Sequence, residues 1–68
     1  MIKVTLKLVR MARGLTQQDV AKELNININM YRRIERNPYN AKVSELIKVC
    51  NFLKVDINDI VWQYMEAI

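Results

Sequence analysis

Four side chains in the middle of the chain could do the chemistry of nucleic-acid recognition: Asn29, Arg32, Arg33 and Arg36. Wound as a helix at about 100° per residue, residues 28–36 place all four within an arc of about 100°. Met30, Tyr31 and Ile34 fall on the opposite arc, so one face is guanidinium and amide while the other suits a core. The paired donors of Arg match the guanine edge in the major groove, and the donor and acceptor of Asn match adenine. Three arginines sharing a face repel one another, a cost relieved when an anion lies against them. A solvated basic face is the plainer alternative, and the spacing alone leaves both open.

The same inventory excludes most catalysis. The 68 residues include no histidine and one cysteine, Cys50. Imidazole bases, His metal ligands and Ser-His or Cys-His nucleophile pairs are therefore absent, as are disulfides within the chain and Cys-rich metal clusters. Asp19 with Glu23, and Asp56 with Asp59, could mimic carboxylate pairs, but acids complementing helix N-termini explain them better. Cys50 reads as an inert buried thiol. No enzyme and no cofactor are expected.

Charge points the same way. Residues 1–54 hold all eleven Lys and Arg with four acids, whereas residues 55–68 hold three acids and no base. A basic body with an acidic end suits a polyanion partner for the body, though ordinary solubility would also account for it. Lys3, Lys7, Arg10, Lys48 and Lys54 interrupt every candidate membrane span. With no signal-peptide core at the N-terminus, a cytoplasmic location is expected.

The elements that must hold the basic face follow from caps and periodicity. Residues 2–8 alternate apolar and polar as a strand would, but Leu6, Val9 and Ala12 keep helical spacing, and Gly14 suits a left-handed stop. A first helix over about 5–13 is predicted, with residues 1–4 undecided. Thr16 with Asp19 three places on is close to a capping box and opens a second helix over about 17–24. Asn25-Ile26-Asn27 is a tight turn in which Asn25 can turn left-handed and Asn27 can cap the third helix, 28–36. Asn37-Pro38 ends that helix. A fourth helix spans about 43–53, with Val43, Leu46, Ile47, Val49, Cys50 and Leu53 as its apolar side. Asp56 to Asp59 offers another cap, opening a fifth helix toward Tyr64 or beyond.

These residues resemble the Cro and phage-repressor type of helix-turn-helix domain, the XRE family. The run Arg13-Gly14-Leu15-Thr16-Gln17 carries the likeness together with Leu6 to Arg10, Val20, Ala21, Leu24, Ile34-Glu35-Arg36, Leu46, Val49, Leu53 and Val55. They cover about residues 6–60 of a single domain, with 61–68 as an extension. The resemblance implies an all-α, compact five-helix, lambda-repressor-like fold whose second and third helices read double-stranded DNA. By the same resemblance, Ile28, Asn29, Arg32 and Arg33 match base-touching positions, and Gln17, Arg36, Asn40 and Lys42 match backbone-contacting ones. Asn27 matches the cap of the recognition helix and is grouped with the phosphate contacts. Arg10 and Glu35 match an ion pair joining the first and third helices.

Several positions depart from the family pattern. Asn25 and Lys54 stand where Gly is usual, and so does Asn37 after the third helix, so strain is expected at the ends of the third and fourth helices. Ile28 replaces a residue that is often polar, leaving a thymine methyl or the second helix as its contact. Trp62, Tyr64, Met65 and Ile68 form an aromatic and apolar tail past the common core, more than one short helix buries. A homodimer interface is the favoured reading of that tail, with packing on its own domain as the alternative. The implied function is a sequence-specific transcriptional regulator, a repressor on a two-fold operator, with no small-molecule ligand and no membrane. The competing class is a protein-interaction module, an antitoxin or anti-regulator on the same fold.

Overall fold

The structure is a computed structural model that describes residues 4–60. Among them are four α-helices: α1 (Leu6–Ala12), α2 (Gln17–Glu23), α3 (Ile28–Arg36) and α4 (Val43–Leu53). Two single 3-10 turns, Pro38–Asn40 and Ile57–Asp59, complete the regular structure.

Each α1–α3 start is a side-chain cap. Thr5 accepts from the Leu8 amide, Asn27 accepts from the Asn29 amide at 2.7 Å, and Thr16 and Asp19 form a reciprocal capping box. The Thr16 backbone amide, helped by its hydroxyl, holds the Asp19 carboxylate below its usual pKa. The stops are left-handed residues. Gly14 has φ +72 and Asn25 has φ +56, and the Ile26 amide closes the end of α2 by donating to the Ala21 carbonyl at 2.9 Å. Lys54 also adopts φ +57, which costs a side chain with a Cβ what glycine is spared. Asn37 does not: its φ is −146, so the strain expected after α3 is absent.

The apolar faces meet in one core. Leu6 and Val9 of α1, Val20 and Ala21 of α2, Tyr31 and Ile34 of α3, and Leu46, Val49, Cys50 and Leu53 of α4 are all buried, with Ile60 beside them. Removing a side chain such as Leu46 down to Ala would cost about 2–5 kcal/mol. The apolar side expected for α4 is narrower than its sequence suggests, because Val43 and Ile47 are exposed. Cys50 is buried, and that burial pushes its thiol pKa up.

The end of the domain departs from the expected fifth helix. Asp56 does cap, accepting from the Asn58 amide at 2.8 Å, but only a 3-10 turn follows. Ile60 is extended and forms a parallel bridge with Val4, whose amide donates to the Asp59 carbonyl. Pairing with the N-terminal segment thus competes with helix propagation and prevails at Ile60. Val4 itself carries the strand character that the alternation of residues 2–8 suggested. The remainder of the expected fifth helix, with Trp62, Tyr64, Met65 and Ile68, lies outside the described residues.

Candidate nucleic-acid interface

The short turn between α2 and α3 dictates how α3 is presented. Tyr31, with no exposed surface, and Ile34 anchor its inner side, and Met30 and Ile28 are half-buried against the same core. The outer side is then fixed by periodicity: Asn29, Arg32, Arg33 and Arg36 are all exposed. Asn27 is exposed at the N-cap. Arg33 and Arg36 sit in the last turn, where they also complement the helix dipole.

The acid on α3 is turned inward. Glu35 accepts from Arg10 Nε at 2.8 Å and Arg10 Nη2 at 3.2 Å, and Arg10 Nη1 donates to the Leu15 carbonyl at 2.7 Å. The two side chains keep only 10% and 5% of their surface exposed. Burial alone would raise the Glu35 pKa, but the hydrogen bonds it accepts, from Arg10 above all, outweigh that and hold it below the usual carboxylate value. Hydrogen bonding to Glu35 holds Arg10 protonated against the burial that opposes its charge. The pair therefore stays charged, and it ties α1 and the loop after it to α3 as the resemblance implied. Tyr31 packs its hydroxyl beside the pair without a well-formed hydrogen bond, and burial together with the nearby carboxylate pushes the phenol far above its usual pKa.

From Glu35 a chain of polar contacts runs outward. Gln17 Nε2 donates to Glu35 Oε1 at 3.1 Å. Arg32 Nε donates to Gln17 Oε1 at 3.3 Å, and Arg32 Nη1 donates to Asn29 Oδ1 at 3.3 Å. Gln17, half-buried at the start of α2, is thus brought against one expected base reader, Arg32, which itself donates to a second, Asn29. Sequence reasoning missed the two links through Gln17 because they join residues 15 and 18 apart along the chain.

The remaining backbone-contact candidates lie at the other end of α3. Arg33, Asn40 and Lys42 line one cleft of about 240 Å³ together with Met30, Ile34, Asn37, Ala41 and Glu45. Asn40 and Lys42 are exposed, as the turn after Pro38 carries them to the surface. The Asn37 side-chain amide oxygen, Oδ1, is buried there with no hydrogen-bond partner among the described residues. Arg36 is exposed near this end and does not line the cleft. So the structure gathers Arg32, Asn29 and Gln17 at one end and Arg33, Asn40 and Lys42 at the other.

Arg13 has a role that its position in the sequence only half announces. Standing at the C-cap of α1, it also donates from Nε to the Leu53 carbonyl at 3.0 Å and from Nη2 to the Lys54 carbonyl at 3.3 Å. It therefore serves the carbonyls at the end of α4, where Lys54 is left-handed. No helix among the described residues is long and apolar enough to cross a membrane.

Neither the curated proteins nor the solved structures gave a significant match. The helix-turn-helix family, by contrast, matches over residues 6–60, from the first turn of α1 to the bridge at Ile60. That span contains the capped α2–turn–α3 unit and every exposed Arg and Asn of α3, and the chain belongs to the XRE/Cro-type helix-turn-helix family of DNA-binding regulators.

Proposed function

We propose that the protein is a sequence-specific repressor that lays α3 in the major groove of a two-fold operator. The observation that carries this reading is the outer face of α3. Asn29, Arg32, Arg33 and Arg36 face solvent, while Glu35 is folded inward onto Arg10. A helix face cleared of carboxylates in this way complements a phosphate-lined groove. Asn29, Arg32 and Arg33 read base edges, and Ile28 meets a thymine methyl with its exposed part. Gln17, Asn27, Arg36, Asn40 and Lys42 contact the backbone and supply affinity without sequence information.

One copy presents too few readers to discriminate a genomic site, so two copies bind half-sites about 34–36 Å apart. The tail residues Trp62, Tyr64, Met65 and Ile68 supply the contact between copies, with Trp62 as its anchor. Occupancy alone blocks transcription, with no cofactor or small ligand.

The test is transcription in vitro from a promoter carrying the element that the protein itself selects. Transcript falling as protein is added supports repression. Transcript unchanged or rising at full occupancy overturns it, and a protein that binds no duplex leaves the protein-interaction class in its place.

A further inference from the structure

Arg32 is exposed, yet it is not a free side chain. Its Nε donates to Gln17 Oε1 and its Nη1 to Asn29 Oδ1, both at 3.3 Å. Gln17 in turn donates to Glu35 at 3.1 Å, and Glu35 is held by Arg10 at 2.8 Å. The order of donors and acceptors along this chain allows one arrangement. A carboxylate only accepts and a guanidinium only donates, whereas a Gln amide has one end of each kind. Glu35 therefore demands the Nε2 end of Gln17, and the Oε1 end is left facing Arg32.

The consequence falls on Arg32. With Nε taken by Gln17, the side of the guanidinium formed by Nε and Nη2 is closed to a base. The opposite fork, Nη1 and Nη2, keeps donors for the two acceptors of a guanine edge. We propose that Gln17, oriented by Glu35, is a positioning residue for base reading: it sets the edge and direction in which Arg32 enters the groove. This rests on the reading of α3 as the recognition helix. It also gives the Arg10–Glu35 pair a second consequence besides joining helices, because an anchored Gln17 restricts a long side chain before DNA arrives.

The experiment selects bound duplexes from a random pool with the full chain, as wild type, Arg32→Ala, Gln17→Met, Gln17→Glu and the double variant Gln17→Met with Arg32→Ala. The step read by Arg32 is the one whose preference disappears in Arg32→Ala. Gln17→Met should lose about tenfold of the preference at that step only, well within what one bidentate contact supplies. The double variant should lose no more there than Arg32→Ala alone. Gln17→Glu should lose the preference as well, since its carboxylate offers Glu35 no donor and is repelled by it, so the acceptor for Nε is no longer held. In the unbound protein, the Arg32 Nε–H resonance should shift in Gln17→Met and in Gln17→Glu alike. If Gln17→Met does not fold, Gln17→Ala carries the same expectation.

Retained preference at that step in Gln17→Met, or equal weakening on every sequence, overturns the inference and leaves Gln17 a phosphate contact. A wild type that selects no element overturns the recognition reading and this inference together, so the two failures are told apart.

Discussion

Removing the Glu35 carboxylate should come close to unfolding the protein. In Glu35→Ala, three donors lose their acceptor: Arg10 Nε, Arg10 Nη2 and Gln17 Nε2. Arg10 keeps the Leu15 carbonyl but remains only 8% exposed, so its charge stays buried without a counter-ion. Breaking one side of a buried pair costs about 3–5 kcal/mol. At roughly 0.05–0.15 kcal/mol per residue, a chain of this length has about 3–10 kcal/mol in all, so the loss is comparable to the total. Replacing both partners with apolar residues, Arg10→Met with Glu35→Leu, removes the stranded charge and should recover most of that loss.

Urea unfolding of the wild type, Arg10→Met, Glu35→Leu and the double variant, followed by far-UV circular dichroism, gives the four free energies of the cycle. A coupling of at least about 2 kcal/mol is expected, near the upper part of the range for residues in direct contact. Glu35 also fixes the sign of the acid response. Its folded pKa lies below the ordinary 4.5, so its contribution is present above that value and is lost as pH falls through the folded pKa. Glu35→Gln, which has no carboxylate to protonate, should flatten this acid loss. Single variants each costing under about 1 kcal/mol, or a cycle with no coupling, would refute the reasoning.

Three further outcomes are expected. Lys54→Gly relieves the left-handed residue after α4, at φ +57, and should add about 1 kcal/mol, raising Tm by about 4–8 °C; a lower Tm would contradict the strain. Arg13→Ala removes both donors to the end of α4 and should cost about 1–2 kcal/mol in the same urea assay, whereas no change would make the contacts incidental. Lys42→Ala should weaken binding to all duplexes alike and lower the salt slope by about 1, and an effect confined to one sequence would move Lys42 among the readers.

What the sequence disclosed was mostly local. Thr16 and Asn27 cap helices, and Gly14 and Asn25 turn left-handed, because each signal is complete within four residues. The outward arc of α3 was equally legible, since its period of 3.6 separates Tyr31 and Ile34 from the four polar positions. Three features were hidden for different reasons. The apolar arc of α4 is wider than the core covers, so periodicity could not tell buried Leu46 from exposed Val43 and Ile47. The helix expected from the cap at Asp56 gives way at Ile60 to pairing with Val4, a partner 56 residues away that no local signal names. The chain from Glu35 through Gln17 to Arg32 depends on two helices meeting at a particular angle, and a glutamine at a helix start carries no mark of which way its amide will face. The polar types present told which chemistry was available, while packing decided which of those side chains touch.

The central claim is that the outer face of α3 reads sequence in duplex DNA, and selection from a random duplex pool tests it most directly. The account predicts enrichment of one element with two related halves. It further predicts that Arg33→Ala or Asn29→Ala relaxes the preference at one position in each half, at about 1–3 kcal/mol. Recovery of the pool without enrichment, or Arg33→Ala and Asn29→Ala lowering affinity equally for the element and for random duplex, would contradict it.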